Sequence, residues 1–362
     1  MNIFKKRVFA LLAVGVILFS LPSMEVKRKE NKPARKVILM IGDGMGIAQA
    51  YAAWTVNHGF LNMFSCPFTG LCLTSSAGDY ITDSAAGATA FATGEKTKNG
   101  YLSMDTAGHP LTTIVEIAEQ RRLATGLVAT SALTHATPAA FVSHQMGRND
   151  YENIAADFLK TDVDVLIGGG ADHFRKRKDG KDLTAELARK GYALAFSIEE
   201  ADKVTAGKLA AFTAAEHTPK FSEGRGNMLP RAVEIALRLL SQDKNGFFLM
   251  VEGSQIDWGN HANDADYVIN ETMDFDRAVG VALDFARKDG NTLLVILADH
   301  ESGGLTITGG NVKNAEVKTH FSTHDHTPVP VPVYAYGPGA EKFTGVYENT
   351  EVFRKIKSFL GI

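Results

Sequence analysis

The sequence predicts an α/β fold, a three-layer α/β/α sandwich built around a largely parallel central sheet. Three observations lead there: short β-branched and aromatic runs recur along the chain, stretches of helical spacing separate them, and glycines or polar residues close them. Strand and helix in alternation bury a parallel sheet between helices on both of its faces.

The runs follow one another in a regular way. Lys36–Ile41 precedes Gly42-Asp43-Gly44, Gly126–Ala129 precedes Thr130-Ser131, and Val163–Ile167 precedes three glycines. Phe247–Val251 precedes Glu252-Gly253, Thr292–Ala298 runs into Asp299-His300, and Val331–Ala335 precedes Tyr336-Gly337. Helical spacing fills Leu111–Arg122, Tyr151–Leu159, Leu229–Leu240 and Tyr267–Arg287, the last with Val268, Met273, Phe275, Val279, Ala282 and Leu283 as its apolar residues. Leu71-Cys72-Leu73 reads as a further strand, so Cys72 and nearby Cys66 are expected as buried thiols, although export would permit a disulfide.

Bulk properties narrow the function. The chain has 362 residues, 45% of them hydrophobic, enough for a large core, and no Pro/Ser linker divides it. A single domain over residues 36–362 is therefore expected, with 172–226 as a peripheral insertion because of its charge run Arg175 to Lys178. A net charge of −3 offers no basic footprint, which argues against nucleic acid as a specific ligand. Lys5, Lys6 and Arg7 precede an apolar run from Val8 to Phe19, the pattern of a secretory signal over 1–23, with 24–35 as a charged leader. That run is short for a membrane span, so a periplasmic or secreted protein without a stable membrane anchor is expected.

Ligands of open α/β sheets bind at the carboxyl ends of the strands, and the polar residues named above fall there. Asp43 follows the first run. Ser84, in Thr82-Asp83-Ser84-Ala85-Ala86, sits where a helix would begin, as a cap or as an anion-facing residue. His135 and Thr137 follow another run, with Arg148, a fork for phosphate oxygens, further on. Glu252, Asp257 and His261 come next, the last two spaced i, i+4 so that both can reach one metal. Asp299-His300 and the histidine-rich stretch His320, His324, Asp325, His326 complete the series.

Taken in order, these motifs resemble the alkaline phosphatase family, in particular its compact bacterial exported members. The likeness covers nearly the whole chain after the leader: Asp-Gly-Met-Gly, Thr-Asp-Ser-Ala-Ala, Ala-Thr-Pro-Ala-Ala with Arg148, Val-Glu-Gly with Asp257 and His261, Ala-Asp-His, and His-Thr with Ala-Tyr-Gly-Pro. It implies an alkaline phosphatase-like fold with reduced surface insertions, a homodimer, and hydrolysis of small phosphate monoesters through a phosphoserine. It also implies two Zn2+ and one Mg2+. Asp257, His261 and His326 would hold the first zinc; Asp43, Ser84, Asp299 and His300 the second; Asp43, Thr137 and Glu252 the magnesium. Arg148 would grip the phosphate. Two positions depart from the enteric pattern, His135 and Trp258 standing where that pattern has Asp and Lys. Weaker, more pH-dependent magnesium binding and faster phosphate release are the expected consequences. Ser84 and Arg148 also separate the chain from diesterase relatives, which typically use threonine and lack that arginine.

Overall fold

Ten strands form one sheet in the order β14-β2-β13-β8-β1-β7-β3-β4-β6-β5. A computed structural model describes residues 35–362. The signal segment and nearly all of the expected leader lie outside these residues, and Arg35, its last residue, opens β1. The strands are β1 (Arg35–Gly42), β2 (Phe68–Leu73), β3 (Ala124–Ala132), β4 (Val165–Gly169), β5 (Tyr192–Ala195), β6 (Lys208–Phe212), β7 (Gly246–Gly253) and β8 (Thr292–Leu297). After them come β9 (Glu301–Ser302), β10 (Thr306–Asn311), β11 (Glu316–His320), β12 (His326–Thr327), β13 (Val331–Tyr336) and β14 (Gly345–Glu348). Strands β3, β7 and β8 are buried along their whole length, which explains why they read as apolar runs rather than alternating ones.

The expected helices form over Ile114–Gln120, Tyr151–Asp157, Met228–Leu240 and Ala265–Asp289. The longest is bounded by its own chemistry: the Asp264 side chain accepts from Tyr267 N–H at its start, and Gly290 takes a left-handed conformation at its end. Val268, Phe275, Val279, Ala282 and Leu283 are buried as its spacing predicts, while Met273 is only partly so. No helix among the described residues is long and apolar enough to cross a membrane. Cys66 and Cys72 are both buried and unpaired, and burial raises each thiol to about 12.

Two features differ from expectation. Strand β13 runs antiparallel to both neighbours, β2 and β8. Tyr336-Gly337 therefore leaves the sheet at the edge opposite Asp43, Glu252 and Asp299, and it is the entrance to β13 that brings His326 to their side. Residues 172–226, expected as a peripheral insertion, supply β6, which pairs in parallel with β4, and β5, which pairs in parallel with β6 and completes that margin of the sheet.

Candidate active site

The parallel strands β1, β3, β7 and β8 release their chains at one edge, and each release places a polar group. Asp43 follows β1, Glu252 ends β7, and Asp299-His300 follows β8; all four side chains are buried. The helix Gln255–His261 then carries Asp257 and His261 one turn apart, with Trp258 next to Asp257. Ser84 is the first residue of the helix Ser84–Thr93. Its neighbour Asp83 is the cap, accepting from Ala86 N–H at 3.0 Å, so the Ser84 hydroxyl is free for other work. Gly87 lets this helix approach, because a Cβ there would lie 3.2 Å from Asp299.

Three groups of metal-ligating atoms result: Asp257–His261–His326, Asp43–Asp299–His300 and Asp43–His135–Glu252. In the first, His261 Nε2 lies 3.3 Å from Asp257 Oδ2 and 3.2 Å from His326 Nε2, which is 3.5 Å from Asp257 Oδ1. In the second, His300 Nε2 lies 3.3 Å from Asp43 Oδ1, Asp299 Oδ2 and Ser84 Oγ. Bonds of about 2.0–2.2 Å to a tetrahedral zinc set ligand–ligand edges of about 3.3–3.6 Å, which both groups approach.

The donor set gives the same answer. His326 Nδ1 faces the Thr82 carbonyl at 2.8 Å and His261 Nδ1 faces the His324 carbonyl, so each Nδ1–H donates and leaves a lone pair on Nε2. Both oxygens of Asp43, Asp299 Oδ2, Glu252 Oε1, Thr137 Oγ1 and His135 Nδ1 are buried without a hydrogen-bond partner. Buried acceptors facing only acceptors call for a cation between them. Zinc suits the imidazole–carboxylate groups, and magnesium suits the oxygens of Asp43, Glu252 and Thr137.

Without metal, burial and mutual repulsion distort the protonation of this edge. Burial first, then Asp299, Asp257 and Glu252, pushes Asp43 well above the carboxylate range, and burial with Asp257 raises Asp299 to about 8. Burial raises Glu252 too. Burial with Arg148 and His217 lowers His135 to about 3, and burial with His326 holds His300 well below its ordinary value. Burial would also raise Asp257, yet its hydrogen bond to His261 and nearby His300 and His326 bring it down. The same Asp257 hydrogen bond raises His261 to about 9.

Arg148 does not touch the metal groups; its Nη1 donates to Asp83 Oδ2 at 2.9 Å, which ties it to the start of the Ser84 helix. His320, on the exposed strand β11, joins none of the three groups. Trp258 stands edge-on to His135 at 5.8 Å between ring centres. Sequence reasoning assigned nothing to several residues that hold this site. Ser254 and Ser131 donate to Glu252 Oε2, Ser302 contacts both Asp257 and His300, and His217 packs edge-on against Trp258 at 4.7 Å. A serine at no fixed spacing from a ligand carries no signal of its own. His217 lies in a region with few acid or histidine clusters.

A largely parallel α/β sheet with three groups of metal-ligating side chains, two of them holding buried oxygens without partners, and a free serine hydroxyl at one edge defines a metal-dependent hydrolase. The chain belongs to the alkaline phosphatase family, whose profile matches residues 34–320 and 312–362, and it is accordingly a phosphomonoester hydrolase. It is similar to alkaline phosphatase 4 of Bacillus subtilis (strain 168), with 33% identity over 433 residues covering 95% of this chain and 93% of the relative. Among solved structures it is similar to alkaline phosphatase from the Antarctic bacterium TAB5, with 42% identity, a TM-score of 0.87, and coverage of 91% and 99%. A histidine-to-aspartate variant of the TAB5 enzyme, with Mg bound in its M3 site, matches at 41% identity and a TM-score of 0.85, again covering 91% and 99%.

Proposed function

We propose that the chain is an exported alkaline phosphatase that hydrolyses small phosphate monoesters through a phosphoserine at Ser84, with two zinc ions and one magnesium ion bound. The observation that carries this reading is Ser84 Oγ, left uncapped and 3.3 Å from His300 Nε2 beside carboxylate oxygens that lack partners. Asp257, His261 and His326 would hold one zinc, and Asp43, Ser84, Asp299 and His300 the other. Asp43, Thr137 and Glu252 would hold magnesium. When bound, these ions would supply Lewis acidity to the attacking, leaving and incoming oxygens.

The chain's own groups do the rest. Deprotonated Ser84 Oγ attacks phosphorus, the bond to the ester oxygen breaks, and the alcohol departs with a proton. Water then attacks the phosphoserine, breaks its P–Oγ bond and releases inorganic phosphate. The N–H groups at the start of the Ser84 helix and the Arg148 fork receive the equatorial oxygens, where charge is spread. Asp83 keeps the two in register by capping the helix with Oδ1 and accepting from Arg148 with Oδ2. His135 puts a nitrogen where an oxygen donor would favour magnesium, so we read the third group as a weak magnesium site. The magnesium-loaded histidine-to-aspartate variant of the TAB5 enzyme supports that reading. Export to the periplasm or medium, and assembly as a homodimer, belong to the same proposal; the charged start and apolar run of the N-terminus support the former.

Initial rates on p-nitrophenyl phosphate and bis-p-nitrophenyl phosphate, with wild type and Ser84→Ala, before and after chelation, test the proposal. Monoester turnover at alkaline pH should vanish on chelation, return with zinc and magnesium, and fall about 1,000-fold or more in Ser84→Ala. Faster diester than monoester turnover would sink it.

A further inference from the structure

Ser302 lies where the two zinc groups meet. It is fully buried, and its Oγ is within hydrogen-bond distance of both Asp257 Oδ1, at 2.5 Å, and His300 Nδ1, at 3.1 Å. One contact belongs to each group. Proton bookkeeping allows a single arrangement with an ionised Asp257. A carboxylate only accepts, so the Ser302 hydroxyl proton points at Asp257. The oxygen's lone pair then faces His300, which must donate from Nδ1. That places the His300 lone pair on Nε2, the atom that lies 3.3 Å from Asp43, Asp299 and Ser84.

The backbone holds Ser302 to this role. Its N–H donates to the Gly44 carbonyl at 3.3 Å, and its carbonyl accepts from Gln49 Nε2 at 2.8 Å. Gly44 has φ +71°, and a Cβ there would come within 2.8 Å of Ser302 Oγ and 2.9 Å of Asp257 Cα. The glycine after Asp43 thus leaves the space in which the hydroxyl meets Asp257. Asp43, Asp257 and His300 come from three separate stretches of chain, and Ser302 with Gly44 joins all three.

We infer that Ser302 is a positioning residue that couples the two zinc groups, orienting Asp257 in one and fixing the His300 tautomer in the other through a single hydroxyl. This rests on the two-zinc reading above. Ser302→Ala removes both hydrogen bonds at once and leaves the fold's volume nearly intact, so both zinc affinities fall together. Residues that orient metal ligands are worth about 10-fold to 100-fold in affinity, and that is the size of loss expected at each site.

The test is stepwise zinc competition against a chromogenic chelator, using metallated wild type, Ser302→Ala and Ser302→Thr, with the unfolding temperature of each metal-free form as a structural control. Two zinc steps weakened together in Ser302→Ala, with Ser302→Thr restoring most of both, is the expected result. Weakening confined to one step, affinities within about twofold of wild type, or a threonine as poor as alanine would overturn the coupling. A wild type that takes up no zinc would overturn the two-zinc reading itself, and the inference with it.

Discussion

Two clusters of buried charge can be compared within this molecule. Arg225 is sunk against the helix Ala265–Asp289, where its guanidinium donates to Glu271 and Asp274. Glu271 also accepts from Phe221 N–H at 2.8 Å, and Asp274 from Arg277 at 2.8 Å, so neither carboxylate has an orphaned oxygen. At the strand edge, Asp43, Glu252 and Asp299 are equally buried, yet each keeps at least one oxygen without a partner. The first cluster carries its own cation and is complete. The second is complete only when cations arrive from outside. Burial of charge alone therefore identifies no function; what does is burial of charge with its counterpart missing.

Substitution separates the two most sharply. Asp299→Asn removes a candidate metal-binding oxygen, and above about pH 8 a repelling charge, while retaining the shape. It should cut phosphatase activity by at least about 100-fold, since loss of a ligand exceeds loss of a group that merely orients one. It should also leave the metal-free chain as stable as wild type, or more so. A metal-free Asp299→Asn that unfolds more easily in denaturant would show that the orphaned Oδ2 has a partner of its own. Arg225→Ala should do the reverse. Stranding Glu271 and Asp274 costs about 3–5 kcal/mol whether or not metal is present, read as a lower denaturant midpoint. A midpoint shift that appears only in the metallated protein would erase the distinction.

Much of this arrangement was legible in the sequence. Asp43, Glu252 and Asp299-His300 each follow a buried apolar run, so strand ends and candidate ligands announce one another. Strand direction is another matter. A period of two is the same read either way, and the reversal of β13 became visible only through its pairing with β2 and β8. Strand β6, and with it the edge strand β5, was hidden because Leu209-Ala210-Ala211-Phe212 is short and lies beyond a charge run. The roles of Asp83 and Ser302 depend on contacts across 65 and 45 positions of chain, a separation that local spacing does not encode.

The pH dependence of stability sharpens the comparison further. In the metal-free chain Asp299 holds its proton up to about 8, whereas unfolded it releases it near 3.8. Between those values the folded state binds more protons, so stability falls as pH rises. His261, raised from 6.5 to about 9, acts in the same sense over its own window. His135 and His300, lowered on folding, act in the opposite sense below 6.5. Unfolding temperature of the chelated protein should therefore drop from about pH 7 to alkaline pH, and metal should suppress the drop. A flat profile without metal would contradict the protonation pattern. The smallest expected effect is at the rim of the site: Trp258→Lys should tighten inhibition by inorganic phosphate by adding a cation near the phosphate. An unchanged inhibition constant would remove Trp258 from phosphate release.

The most direct test is a zinc titration of the chelated full-length chain, followed at once by bound metal, unfolding temperature and p-nitrophenyl phosphate turnover. The three groups of metal-ligating side chains predict that two zinc ions bind per chain, that unfolding temperature climbs as they do, and that turnover returns with the second zinc and magnesium. A chain whose unfolding temperature and turnover stay put at saturating zinc and magnesium would contradict the account.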